Sequence, residues 1–127
     1  MINLKKLITE VKVKVAYHVA EKSVRPSIKT HGLDSNKYKG DITTSGIFIY
    51  VFIKYAEAIG YIHGYNDFLK MQDEYEKYFD IWEINCRGLD LIKDYGLNTG
   101  DLPQNDSAYA IKGPIDKKRL KLKMTIK

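Results

Sequence analysis

The chain has 127 residues, 44% of them hydrophobic, with a net charge of +5, ten tyrosines and one cysteine. That length suits one domain with a real core, and the apolar fraction excludes a disordered chain. No apolar run is long enough to span a bilayer, and Met1-Ile2-Asn3-Leu4-Lys5-Lys6 lacks the core of a signal peptide, so the expectation is a cytoplasmic protein with no membrane partner.

Residues 1–10 fit either a helical stripe (Leu4, Leu7, Ile8) or an edge strand. Val11, Val13, Val15 and Tyr17 then alternate with Lys12 and Lys14, which predicts a strand. The organising stretch follows, from Tyr17-His18-Val19-Ala20 to Ser27-Ile28-Lys29-Thr30-His31-Gly32-Leu33. It reads as a strand end, a polar turn, a short helix capped by Ser23 with Pro26 in its first turn, and a glycine stop at Gly32. This reading delivers His18 at the mouth of a strand, beside a helix N-terminus that favours anionic oxygens.

Residues 34–45 are polar and read as a loop. The run 46–52 reads as a buried strand, with Ile47, Ile49 and Val51 on one face and Phe48, Tyr50 and Phe52 on the other. Residues 53–62 predict a short helix with Ala56, Ile59 and Ile62 inward. The acidic segment 64–76 is read as a second helix or a functional lid. Strands are predicted over 78–87, 89–95, 108–111 and 119–126, with a loop over 96–107. Helices first and strands afterwards, without βα alternation, predict an α+β fold with a largely antiparallel sheet.

Cys86 lies in a predicted strand and reads as a buried structural thiol, and one cysteine forms no internal disulfide. His31 and His63 have no metal-ligand spacing, so no metal site is expected. There is no nucleophile elbow, phosphate loop or dinucleotide glycine fingerprint. Tyr61, Tyr65, Tyr75 and Tyr78 read as packing and surface residues. At the basic end, Leu120, Leu122, Met124 and Ile126 alternate with Lys121, Lys123, Thr125 and Lys127, the pattern of a strand with one solvated face. RNA binding or phosphotransfer through that strand is the weaker reading of its charge.

The run Tyr17-His18-Val19-Ala20, followed by Ser27-Ile28-Lys29-Thr30-His31-Gly32-Leu33, resembles the first motif of the ADP-ribosyltransferase superfamily and of the related RNA 2′-phosphotransferases. Gly46-Ile47-Phe48-Ile49 with Tyr55-Ala56, Asp80-Ile81-Trp82-Glu83-Ile84-Asn85 and Tyr109-Ala110-Ile111-Lys112-Gly113-Pro114 are similar to later family strands. The resemblance implies an α+β fold with split, mainly antiparallel sheets and two or three short helices, binding NAD in the cleft between the sheets. By the same resemblance, His18 is the catalytic residue and orients a ribose, and the Val19 backbone meets the nicotinamide carboxamide. Phe48 takes the place of the stacking Tyr, with Tyr50 and Tyr55 as further aromatic walls. Ser23 and Tyr109 complete the cofactor-binding set.

One departure matters. Where many family members carry a catalytic Glu, this chain has Ser107 and Ala108, with Gln104 and Asp106 nearby, and one residue of register reverses a strand's face. Losing such a carboxylate removes roughly 3–4 kcal/mol of transition-state stabilisation. The resemblance thus implies a protein that binds NAD or an ADP-ribose derivative and, if active, transfers ADP-ribose from NAD to a protein, nucleic acid or small-molecule acceptor. The alternative is a catalytically degenerate module that binds a nucleotide or a partner protein.

Overall fold

The computed structural model describes residues 13–34, 44–45, 48–93 and 108–127. Its elements in chain order are β1 (Val15–Glu21), α1 (Arg25–His31), β2 (Thr44–Ser45), β3 (Phe48–Phe52), α2 (Tyr55–Met71), β4 (Phe79–Asn85), β5 (Leu91–Lys93), β6 (Ala108–Lys112) and β7 (Leu120–Ile126). Single 3-10 turns, Lys22–Val24 and Lys117–Arg119, precede α1 and β7. The fold is α+β. Every strand pairing is antiparallel, in the order β5-β6-β3-β1-β4-β7, with β2 also on β3.

The sheet has two unequal seams. β1 and β4 pair over seven residues, from Val15 opposite Asn85 to Glu21 opposite Phe79. β1 and β3 share one register pair, Tyr17 with Phe52. One half-sheet, β5-β6-β3, is thus joined to the other, β1-β4-β7, at a single point. That narrow join is the weakest seam of one continuous antiparallel sheet, not a division into two sheets.

Two apolar layers cover the sheet. On the α1 side lie Ala16, Ala20, Ile28, Leu33, Ile49, Val51, Trp82, Ile84, Tyr109 and Ile111. On the α2 side lie Val19, Phe52, Ala58, Ile62, Phe79 and Ile81. The period of two that separates Ile49 and Val51 from Phe52 is the one read from sequence.

α2 corrects two expectations. It is one helix from Tyr55 to Met71, so the first part of the acidic segment continues the helix. Its buried residues are Ala58, Ile62, Asn66 and Leu69, while Ala56 is exposed. The spacing of four, four and three holds one stripe inward. Asn66 was not expected in it. Its amide donates to the Lys77 carbonyl (3.0 Å) and accepts from the Lys77 N–H (2.9 Å), pinning the return loop to the helix. Gly60 and Gly64 sit on this helix with open space around the place of a Cβ. Gly60→Ala with Gly64→Ala is expected to raise stability by about 1–2 kcal/mol in urea unfolding, because each glycine costs the helix roughly 0.5–1 kcal/mol. An unchanged or lower midpoint would mean that these positions touch something.

β7 corrects a third. Ile81 pairs with Met124 but Trp82 pairs with Leu122, so Lys123 is the extra residue of a bulge. A bulge reverses the alternation beyond it. Leu120 and Leu122 accordingly pack on the α1-side layer and Ile126 on the α2-side layer. Thr125, read as solvated, instead donates to Asp80 at 2.6 Å. Arg119 belongs to the 3-10 turn before the strand.

Candidate functional site

β1 carries the sequence motif, but its boundaries shift what the motif does. The strand runs on to Glu21, so His18 is the fourth of seven residues and lies opposite Trp82 rather than at the strand's mouth. Its side chain is completely buried. Nδ1 donates to the Tyr50 carbonyl at 2.8 Å, across the seam between the half-sheets. Continuing the register from Tyr17 opposite Phe52 would place Val19 opposite Tyr50, and the ladder stops before that pair. An imidazole N–H meets the next β3 carbonyl instead, so His18 acts as a side-chain rung in a broken ladder.

Ser23 is not a helix cap. It lies inside the 3-10 turn, Val24 holds the N-cap of α1 and no side chain caps it. Pro26 does fall in the first turn, as expected. Gly32 ends the helix with φ +73°. The next residue forms an isolated antiparallel bridge with Ile115, Leu33 N to Ile115 O at 3.0 Å and the reverse bond at 2.9 Å. α1 is thereby tied at its C-terminus to the segment before β7.

At its N-terminus the tie is ionic. Arg25 forks onto Asp80, Nε to Oδ2 and Nη2 to Oδ1, both at 2.7 Å. Nη2 also donates to Thr125 at 2.9 Å. Hydrogen bonding to the Asp80 carboxylate raises the Arg25 pKa above the usual guanidinium value. Asp80 is fully buried and faces the α1 side, two residues from Trp82. A buried carboxylate that accepts three hydrogen bonds from Arg25 and Thr125 is engaged in holding structure.

The residues expected to form one site divide among three places. His18 and Tyr109 belong to the α1 side, Tyr109 through its pairing with Val51. Val19 and Tyr55 lie on the α2 side, and alternation from Phe52 puts the half-buried Phe48 and Tyr50 there as well. Tyr55 stacks obliquely on Tyr17 at 5.2 Å and donates to Met124 Sδ at 3.1 Å. Ser23 is exposed and lines a separate groove of about 670 Å³ with Lys22, Pro26, Lys77 and Tyr78. In that groove Lys22 and Lys127 approach the Tyr78 ring at 5.4 and 5.2 Å, and Glu21 pairs with Lys77 at 2.8 Å. The His18 bond to Tyr50 crosses the seam beside the Tyr17–Phe52 pair and links the α1-side histidine to the strand that carries Phe48 and Tyr50.

Sequence reasoning missed a polar atom in this region. Trp82 Nε1 is buried with no hydrogen-bond partner among the described residues, on the residue directly opposite His18. A buried indole N–H without an acceptor costs about 1–3 kcal/mol, so an acceptor oxygen placed there would be bound favourably. Cys86 is buried as expected, and burial pushes its thiol up to about 11, which leaves it an inert packing group. Among the described residues no cluster of His, Cys, Asp and Glu is suited to a metal ion. Among them too, no helix is long and apolar enough to cross a membrane. Gln104, Asp106 and Ser107, beside the place of the family's glutamate, lie outside the described residues, as do Gly46 and Ile47.

Fold and site together define an α+β chain with one open antiparallel sheet, narrow at the β1–β3 seam where a buried histidine bonds across it. No family model matches the chain, and no curated protein matches it.

Proposed function

We propose that the chain is a nucleotide-binding domain of ADP-ribosyltransferase-like build, taking NAD or another ADP-ribose-containing molecule at the seam between its half-sheets without transferring ADP-ribose. The observation that carries this reading is His18, wholly buried and bonded through Nδ1 to the Tyr50 carbonyl. A side chain engaged in that way orders the seam and is poorly placed to work on a ribose. The unpartnered Trp82 Nε1 opposite it supports a ligand oxygen as the missing acceptor. Asp80, the one buried carboxylate among the described residues, is held by Arg25 and Thr125, which supports binding over transfer.

A second reading keeps the transfer. The aromatic side chains of Phe48, Tyr50 and Tyr55 on the α2 side favour it, because a nicotinamide ring needs only a π face to stack on. His18 then orients the ribose after the seam opens, and the acceptor is a protein, nucleic acid or small molecule.

One titration separates the two. NAD and ADP-ribose are added to millimolar concentration while the fluorescence of Trp82, the sole tryptophan, and free nicotinamide are followed together. The expected result is a saturable fluorescence change without nicotinamide. Nicotinamide release that disappears in His18→Asn would establish the transferase instead. Silence in both signals with both ligands would sink both readings.

A further inference from the structure

We propose that the cleft between the β4 end of the sheet and the turn before β7 binds the phosphodiester backbone of single-stranded nucleic acid. This rests on surface charge and does not depend on the NAD reading. The cleft has a volume of about 400 Å³ and is lined by Lys14, Arg87, Lys118, Arg119 and Lys121, with Glu83 as its one carboxylate. Lys123 Nζ stands 3.7 Å from that carboxylate and offsets it, so the five lining cations are left in excess. Among the described residues Lys14, Arg87, Lys118 and Lys121 have no ion-pair partner. Apart from Arg119, whose side chain is half-buried, the lining cations are exposed.

The cations are held by the fold rather than scattered. Arg119 Nη1 donates to the Asn85 carbonyl at 3.0 Å and the Arg87 carbonyl at 2.7 Å, which fixes the guanidinium against the end of β4. Lys118 is set by the Asp116 carboxylate, which accepts its backbone N–H at 2.8 Å. Lys121 stands opposite Glu83 across the β4–β7 pairing, and Val15, next to Lys14, stands opposite Asn85. Positive charge thus arrives at one cleft from the start of β1, the end of β4 and the start of β7, three separate segments of chain.

An aromatic surface adjoins the charge. Tyr17 is opposite Glu83, two residues along from Val15 on the same side of β1, and packs on Tyr55 at 5.2 Å. Cations tracking a backbone beside a half-exposed aromatic ring are the combination that binds unpaired strands, because bases stack on the ring while phosphates meet the cations. An acidic protein surface would use the cations and leave the ring idle.

The test is fluorescence anisotropy of the full chain with labelled 12-nucleotide single-stranded RNA and DNA of mixed sequence, read over a range of salt. Five phosphate contacts predict a slope of log K against log salt of about −3.5. The triple variant Lys14→Gln, Lys118→Gln, Lys121→Gln alters exposed side chains only. It is expected to keep its thermal midpoint and to flatten the slope to about −1.4. Tyr17→Leu is expected to weaken binding about tenfold with the slope unchanged. Equal affinity and slope in wild type and triple variant would overturn the proposal, as would a duplex binding more tightly than its separated strands. A poly-glutamate peptide that binds as tightly as the oligonucleotides, and is equally unaffected by Tyr17→Leu, would overturn it in favour of an acidic protein partner.

Discussion

Gly32→Ala is expected to destabilise the domain by about 3–4 kcal/mol and to lower its thermal midpoint by roughly 10–15 °C. Two separate effects add. The residue sits at φ +73°, where a side chain costs about 1–2 kcal/mol. A Cβ there would also stand 2.3 Å from the Ile115 carbonyl oxygen and 2.8 Å from the Lys117 nitrogen, both backbone atoms. One of the two segments has to retreat, and the bridge between Leu33 and Ile115 goes with it, two hydrogen bonds worth about 1 kcal/mol each. Gly32→Asn is expected to unfold close to Gly32→Ala, because it carries the same Cβ and ψ −159° lies outside the left-handed helical well that asparagine tolerates. A midpoint near wild type in Gly32→Asn would overturn both parts of this account.

His18→Ala is expected to cost about 3–4 kcal/mol in denaturant unfolding, and His18→Asn clearly less. Removing the ring leaves a cavity in a sealed interior and strands the Tyr50 carbonyl, for which a lost partner costs about 1–3 kcal/mol. Asparagine offers an N–H close to where Nδ1 lies and can restore that bond, though not the full volume. An unchanged unfolding midpoint in His18→Ala would mean that the histidine does not hold the seam. His18 would then be available to a ligand, and the transferase reading would gain.

The Arg25–Asp80–Thr125 tie obeys the same logic with an ordered outcome. Arg25→Ala leaves a fully buried carboxylate with a hydroxyl for company, whereas Asp80→Ala leaves a guanidinium that is about a quarter exposed and within reach of water. The arginine is therefore the costlier loss.

Local pattern settled much of this molecule. Period two marked β1, β3, β4 and β6, and β-branched and aromatic runs marked the central strands. Gly32 was legible as a helix stop because a positive φ is a local demand. The burial of Cys86 followed from its place at the end of an apolar strand. The motif residues of the candidate site were legible one by one, but their shared location was not. Whether His18 meets solvent, Trp82 or a carbonyl depends on the β1–β3 register, which ends after one pair, and no residue of β1 encodes where its ladder stops. The bulge at Lys123 is of the same kind. The sequence of β7 alternates without a break, and it is the pairing with β4, where Ile81 and Trp82 skip one residue, that turns Thr125 inward to Asp80 and sends Met124 and Ile126 to the other face. Ser23 lost its cap and Asn66 gained a buried role for one reason: a hydrogen-bonding side chain goes to whichever backbone group the packed chain brings within 3 Å, and that distance is a property of the fold, not of its neighbours in the chain.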